Sequence, residues 1–253
     1  MGEQPIKKRV FILPNLLTAG NLFAGFYAIV AAVNYRFERA AAVIVIAGLL
    51  DGLDGKVARA TGSTSKFGVE FDSLADLVSF GVAPAVLIYI WALQPYGRIG
   101  WVAAFLLVAC GALRLARFNV QSGTADSKWF TGLPIPAAAG CAASTVLIIE
   151  MVEVTHRFLG PVLIFQVYLL AFLMVSSIRY RSFKNLGMKS HHPFPFLVST
   201  VMLLAIVAMQ PQITLFAIGV IYLLSGPVGH LLALARKGRH ARAAGNPQSK
   251  TNA

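Results

Sequence analysis

Charged residues are scarce in this sequence. They make up only 13% of its 253 positions, whereas hydrophobic residues make up 57%. A soluble globular protein has roughly 25% charged residues, and a water-soluble fold cannot bury so much apolar surface. This excludes ordinary soluble, secreted and disordered proteins, and it predicts an all-α polytopic membrane protein.

Cysteine and acidic residues are scarce as well. Cys110 and Cys141 each stand alone in an apolar run, which excludes a disulfide framework and a thiolate metal site. There are 10 acidic residues against 22 lysines and arginines, and the net charge is +12. In a soluble chain this excess would suggest nucleic acid, but membrane proteins concentrate cations in their cytoplasmic loops. We therefore expect no nucleic-acid partner.

Apolar segments of about the length that crosses a bilayer recur along the chain. We predict about eight transmembrane helices, at 11–33, 40–60, 67–92, 99–118, 134–152, 158–178, 194–210 and 212–235. The second and third contain charges and are marginal by hydropathy alone. The first is too long for the core of a signal peptide, so we expect it to be an uncleaved helix.

Positive charges predict the orientation of these helices. If the N-terminus is cytoplasmic, 18 of the 22 lysines and arginines fall on the cytoplasmic side. The other four are Arg36, Arg39, Arg98 and Arg157. We therefore predict a multi-pass protein of the inner (cytoplasmic) membrane with both termini in the cytoplasm. It would begin with a basic segment, 1–10, and end in a disordered basic tail, 236–253.

Four of the five aspartates lie in two neighbouring predicted spans: Asp51, Asp54, Asp72 and Asp76. A carboxylate near the bilayer centre costs at least about 2.5 kcal/mol unless it has a partner or a wet cavity. Arg59 and Lys66 are too few to neutralise four acids as structural ion pairs. The alternative is that the acids serve a functional site.

Helix geometry brings these carboxylates together. Asp51 and Asp54 share one helix face, and so do Asp72 and Asp76. In an antiparallel hairpin turning at 62–65, a rise of about 1.5 Å per residue places Asp54 near Asp72 and Asp51 near Asp76. Facing carboxylates must bind divalent cations or take up protons. All-oxygen ligands suit Mg²⁺ or Mn²⁺, and two ions could share four carboxylates.

The full pattern in this region is Asp51-x2-Asp54-Gly55-x2-Ala58-Arg59-x8-Gly68-x3-Asp72-x3-Asp76. It resembles the signature of the CDP-alcohol phosphotransferases without departure. The resemblance implies a six-helix catalytic core around a dimetal site, often in a dimer, that joins a CDP-linked lipid to an alcohol and releases CMP. We expect this core at 11–178 and two additional transmembrane helices in 179–235.

Three further stretches are most similar to the bacterial phosphatidylserine synthases, a branch of that family. They are Leu-Pro-Asn-Leu-Leu-Thr at 13–18 with Asn21, Arg-Leu-Ala-Arg-Phe-Asn at 114–119, and Thr-Gly-Leu-Pro-Ile-Pro at 131–136. The resemblance implies CDP-diacylglycerol and L-serine as substrates, phosphatidylserine and CMP as products, and a homodimer among membrane lipids. Glycerol 3-phosphate or inositol phosphate remains an alternative alcohol.

The resemblance also implies residue roles. The four aspartates would hold two Mg²⁺ or Mn²⁺ ions, and Asp76 would also take the proton of the attacking hydroxyl. The candidates for CDP-lipid binding are Asp51, Asn15, Thr18, Gly55, Ala58, Arg59, Lys66 and Gly68. The candidates for binding serine or a phosphate are Arg114, Arg117 and Asn119. Either arginine could instead be a cytoplasmic anchor, as could Arg59 and Lys66.

A divalent-cation transporter is the alternative from another functional class, since transporters also carry membrane carboxylates. It explains the acids but not the fixed spacing of Gly55, Ala58, Arg59 and Gly68. It also predicts acids towards both membrane surfaces, whereas these four all belong to the cytoplasmic half.

Overall fold

The chain folds into helices with one small β ribbon. The computed structural model describes residues 12–61, 65–121, 129–152, 156–181 and 209–244, with single positions at 198 and 202. The helices are α1 (Ile12–Val33), α2 (Phe37–Thr61), α3 (Lys66–Asp76), α4 (Ala83–Ile88), α5 (Gly97–Gln121), α6 (Ile135–Met151), α7 (His156–Val175) and α8 (Pro211–Ala244). The strands are β1 (Trp129–Thr131) and β2 (Arg179–Arg181).

Several of these helices are compatible with membrane spans. Of the residues described, three helical segments are long and apolar enough to cross a bilayer: Pro14–Val33, Lys66–Val120 and Pro211–Gly229. Two shorter apolar helices cover Ile135–Met151 and Leu159–Val175. Most of the predicted seventh span, 194–210, lies outside the described residues. The count of eight spans and their orientation therefore stay predictions.

The third and fourth predicted spans form one helical run whose winding changes along its length. Wide π-helical turns at Leu77–Val82 and Tyr89–Leu93 flank α4, and a tight 3₁₀ turn, Gln94–Tyr96, follows them. Gly97 then adopts φ +52°, which glycine tolerates better than other residues. After it, α5 packs back along the run. The first π-helical turn begins directly after Asp76, and such turns are frequent at functional sites.

Small residues allow the helices around the carboxylates to pack closely. α1 packs along α2, and α2 packs along α6. The buried alanines include Ala24, Ala28, Ala31 and Ala32 of α1, and Ala40, Ala41 and Ala47 of α2. Small side chains let helix backbones approach each other, which is how helices associate in a membrane. The two cysteines, Cys110 of α5 and Cys141 of α6, are free thiols.

The β ribbon was not predicted, because three-residue strands are too short to show a periodic pattern. β1 and β2 are antiparallel, with Phe130 opposite Tyr180. Gly132, with φ +81°, then turns the chain towards α6. Tyr180 is buried, which raises its pKa to about 12, and its hydroxyl donates to the carbonyl of Leu223 in α8 at 3.2 Å. The ribbon therefore ties the ends of α6 and α7 to α8.

Candidate functional site

Three of the four predicted aspartates meet in the structure. Carboxylate oxygens of Asp51 from α2 and of Asp72 and Asp76 from α3 lie within 4.8 Å of one another. Asp76 is buried, whereas the other two are half-buried. Asp51 lies close to Asp76, as helix geometry predicted. Asp72 was predicted to lie near Asp54, and in the structure it also lies close to Asp51 and Asp76. The side chain of Asp54 is outside the described residues.

The start of α3 sets the positions of Asp72 and Asp76. Ser65 caps this helix, and its hydroxyl accepts the backbone N–H of Gly68 at 2.9 Å. A Cβ on Gly68 would lie 3.2 Å from that hydroxyl oxygen and 3.5 Å from Oδ1 of Asn15. Gly68 therefore permits both the cap and the close approach of α1. The predicted lipid-binding residues Asn15 and Gly68 are neighbours here.

The three carboxylates fit a divalent metal centre. Oxygen ligands lie about 2.0–2.1 Å from Mg²⁺, so opposite ligands of one ion are roughly 4.2 Å apart. The oxygens here span a similar distance. The cluster also suits a pair of ions that share carboxylates, since such ions lie about 3.5–4 Å apart. A purely carboxylate donor set favours hard cations over softer transition metals.

Asn21 of α1 contacts Asp76, although the sequence predicted no role for this asparagine. It is fully buried, and its Nδ2 donates to Oδ1 of Asp76 at 3.1 Å. An ionised carboxylate only accepts hydrogen bonds, so the amide nitrogen must face it. This leaves Oδ1 of Asn21 buried and without a hydrogen-bond partner in the described part of the chain. Such an acceptor costs about 1–3 kcal/mol, so the contact holds Asp76 at the expense of stability.

A second contact joins α1 to the turn that follows Asp76. Ser79, in the first π-helical turn, donates from its hydroxyl to the backbone carbonyl of Asn21 at 2.8 Å. Gly25 lies one helical turn further along α1, and a Cβ there would come within 2.6 Å of the Ser79 Cα. The missing side chain of Gly25 therefore lets α1 lie directly against this turn. Together these contacts fix the backbone next to Asp76.

The two predicted anion-binding arginines have different surroundings. Arg114, near the end of α5, is only 8% exposed, and its charge interacts with Asp76 and with Tyr222 of α8. Its Nε has no hydrogen-bond partner within the described ranges. Arg117 instead donates from Nη1 to the carbonyl of Val175 at the end of α7, at 3.2 Å. The structure thus brings Arg114 to the carboxylates, whereas Arg117 caps a helix.

Asn119 makes a contact beside the carboxylates, whereas the hydroxyl of Thr18 bonds within its own helix. Asn119 donates from Nδ2 to the hydroxyl of Ser73 at 3.0 Å, next to Asp72. This bond holds α5 against α3. Thr18 is buried in α1, where its hydroxyl donates to the carbonyl of Pro14 at 3.1 Å.

The remaining predicted residues are only partly described. Lys66 is exposed at the first position of α3, and Gly55 is half-buried in α2. The side chains of Ala58 and Arg59 lie outside the described residues. The roles of these four residues therefore stay predictions.

Comparisons with known proteins place these residues in a family context. Residues 11–226 match the family model described as CDP-alcohol phosphatidyltransferase. The CDP-diacylglycerol–serine O-phosphatidyltransferase of Helicobacter pylori is 38% identical over 227 residues, 90% of this chain and 94% of its own length. The enzyme of the same name from Mycobacterium leprae is 34% identical over 88% of this chain and 77% of its own. An archaetidylserine synthase from Methanothermobacter thermautotrophicus is 40% identical over 69% of this chain and 72% of its own length.

The hydrogen bond from Asn21 to Asp76 predicts a specific kinetic defect. Asn21→Ala removes a bond to a charged group, which is worth about 1.5–3 kcal/mol, so we expect turnover to fall roughly 10- to 150-fold. The KM values should change little, because Asn21 acts on the orientation of Asp76. The melting temperature should fall only slightly, because the loss of a donor to Asp76 is partly offset by removal of the unsatisfied carbonyl.

Asn34→Ala is the matched control, since Asn34 is an exposed asparagine whose amide donates to the Val30 carbonyl at the end of the same helix. Steady-state kinetics and thermal unfolding in detergent measure both variants. Equal turnover in the two would show that the contact with Asp76 has no functional role.

Proposed function

This chain belongs to the CDP-alcohol phosphatidyltransferase family, and on that premise we propose that it transfers the phosphatidyl group of CDP-diacylglycerol to the hydroxyl of L-serine. The products are phosphatidylserine and CMP. The observation that carries the proposal is the close approach of the carboxylates of Asp51, Asp72 and Asp76 within the region that matches the family. The choice of serine is supported by the names of the relatives.

In this proposal Asp54 joins the three carboxylates, and together they hold two Mg²⁺ or Mn²⁺ ions. When bound, the ions neutralise the pyrophosphate oxygens and stabilise the departing CMP. The remaining lipid contacts are those that the family resemblance implies. They are Asp51, Asn15, Thr18, Gly55, Ala58, Arg59, Lys66 and Gly68.

Asp76 is the proposed base. A serine hydroxyl is a poor nucleophile until a base takes its proton, and the contact with Asn21 holds the Asp76 carboxylate in one orientation. The proton passes to Asp76 while the serine oxygen forms a bond to the phosphatidyl phosphorus. The bond from that phosphorus to the CMP oxygen breaks. An amide cannot accept this proton, so CMP release by Asp76→Asn at the wild-type rate would contradict the role.

Arg114 is the proposed anion-binding residue, and Asn119, which donates to Ser73 beside Asp72, is the second candidate. A buried guanidinium close to an acidic cluster can hold either the serine carboxylate or the lipid phosphate. Arg117 was predicted to share this role, but its contact with Val175 favours a structural one.

The membrane arrangement is part of the proposal. We propose an integral inner-membrane homodimer whose active site faces the cytoplasm, with CDP-diacylglycerol reaching the site from the surrounding lipid. The uneven distribution of lysine and arginine supports this orientation. Family membership speaks against a divalent-cation transporter, which would not require the matched spacing of the glycines and arginine among the aspartates.

The choice of alcohol can be tested with the purified protein. With CDP-diacylglycerol and Mn²⁺, we expect CMP to form when L-serine is added, because serine supplies the hydroxyl that the pocket accepts. Parallel reactions receive glycerol 3-phosphate or inositol phosphate, and a further reaction receives serine with excess EDTA. CMP formation with either phosphate alcohol and not with serine would overturn the proposed substrate while leaving the family assignment intact.

The two arginines should separate in their kinetics. Arg114→Ala removes a charge-assisted hydrogen bond worth about 1.5–3 kcal/mol, so one KM should rise roughly 10- to 150-fold. A rise in the KM for serine identifies the carboxylate as its partner, and a rise for CDP-diacylglycerol identifies the phosphate. Arg117→Ala is the comparison. It should lower the melting temperature and leave both KM values close to those of the wild type. Unchanged kinetics in Arg114→Ala would place the anion pocket elsewhere.

A further inference from the structure

Arg114 of α5 is a buried cation whose surroundings include α8, the last helix that the structure describes. Its side chain is 8% exposed, and its charge interacts with Tyr222 of α8 and, less strongly, with Asp76 of α3. Burying a guanidinium costs free energy unless acceptors or opposite charges surround it. Tyr222 therefore belongs to the group of side chains that decide where this cation lies beside the carboxylates.

The β ribbon holds Tyr222 in place. The ring of Tyr222 packs on the ring of Tyr180, with centroids 5.5 Å apart. The hydroxyl of Tyr180 donates to the carbonyl of Leu223, the next residue of α8, at 3.2 Å. Gly226 lies about one helical turn further on, and a Cβ there would collide with the Tyr180 ring. Both the ring and the backbone of Tyr222 are therefore positioned by Tyr180.

Tyr222 also lies close to the acidic cluster. It is half-buried and lines the same cavity as Asp51, which is one of the three clustered carboxylates. A phenol hydroxyl can accept a hydrogen bond, whereas a guanidinium only donates. A tyrosine can thus orient the Arg114 guanidinium and leave its positive charge available to a ligand, which a carboxylate at the same position would neutralise.

The guanidinium of Arg114 still has a donor to offer. Its Nε is buried and has no hydrogen-bond partner in the described part of the chain. An unsatisfied donor costs free energy that a bound anion would recover. A guanidinium binds a carboxylate or a phosphate through two parallel N–H groups, so its orientation decides whether both groups meet the anion. A residue that fixes this orientation therefore affects the affinity for the anion.

We propose that Tyr222 is a positioning residue for substrate binding, whose hydroxyl accepts a hydrogen bond from Arg114 and turns the remaining N–H groups of the guanidinium towards the anionic group of the substrate. The inference rests on the proposed function for the role of Arg114. Tyr222 acts through the arginine and not on the reacting atoms. Because α8 follows the expected catalytic core at 11–178, a helix outside that core contributes to substrate binding.

Tyr222→Phe tests the inference, because it removes the hydroxyl and keeps the ring that packs on Tyr180. It should raise about tenfold the same KM that Arg114→Ala raises, which is the lower end of the effect of losing a hydrogen bond to a charged group. The other KM, kcat and the melting temperature should stay close to wild type. A merely structural role of Tyr222 would instead lower the melting temperature and leave both KM values unchanged.

Tyr168→Phe is the matched control. It removes a tyrosine hydroxyl that donates to the carbonyl of Ile99 at 3.4 Å, near the start of α5, whereas Arg114 is near the end of that helix. Steady-state CMP release and thermal unfolding in detergent measure both variants. The control should keep the wild-type value of each KM.

The double variant Arg114→Ala/Tyr222→Phe separates action through the arginine from a direct contact with the substrate. If Tyr222 acts through Arg114, adding Tyr222→Phe to Arg114→Ala should change neither KM further. An unchanged KM in Tyr222→Phe, or an equal rise in both backgrounds, would overturn the inference.

Failure of the proposed function gives a different pattern. Wild-type KM values in Arg114→Ala would remove the proposed anion site and this inference with it, whereas a rise in Arg114→Ala alone would overturn only the role of Tyr222. If an alcohol other than serine proves to be the acceptor, the KM for that alcohol is measured in the same variants. The role of Tyr222 is then tested with whichever acceptor the protein uses.

Discussion

The placement of three carboxylates, one buried and two half-buried, inside an apolar helical protein is the constraint on which the rest of the structure depends. Each ionised group costs free energy in a low-dielectric surrounding unless a cation or hydrogen-bond donors compensate it. The compensation can be shared, because the carboxylates of Asp51, Asp72 and Asp76 lie in one cluster, where a divalent ion would neutralise them together. The close packing of α1 against α2, with alanines at the contact, keeps that cluster in place.

The surrounding elements hold or extend this cluster. Asn21 donates to Asp76, and Ser79 joins α1 to the π-helical turn after Asp76, so both contacts position the carboxylate that we propose as the base. Arg114 adds a positive charge from α5 beside the acids. The β ribbon anchors α8 through the hydroxyl of Tyr180, which donates to the carbonyl of Leu223. In the proposed function, the ions and the anion are therefore bound by residues of different helices around one cluster.

Much of this arrangement could be predicted from the sequence, because helix periodicity and charge are local signals. The spacing of the aspartates correctly predicted that Asp51 would approach Asp76. The contact of Asn21 with Asp76 links residues 55 positions apart, which no local pattern reports. Arg114 and Arg117 look equivalent three residues apart, and only the packing of α7 shows that Arg117 is engaged by Val175. The hydrogen bond from Tyr180 to Leu223 of α8 likewise depends on tertiary packing and could not be predicted from a local pattern.

The central claim is that one carboxylate cluster binds the divalent ions and supplies the base. Electron paramagnetic resonance of Mn²⁺ titrated into the purified protein, read beside CMP release, tests it most directly. The account predicts that the wild type removes free Mn²⁺ from solution and that Asp51→Asn and Asp72→Asn weaken this binding and lower turnover. Asp76→Asn should stop turnover, while Glu70→Gln, which changes an exposed acid of the same helix, should behave as wild type. Unchanged Mn²⁺ binding in the Asp51 and Asp72 variants, or full activity in chelated protein, would contradict the account.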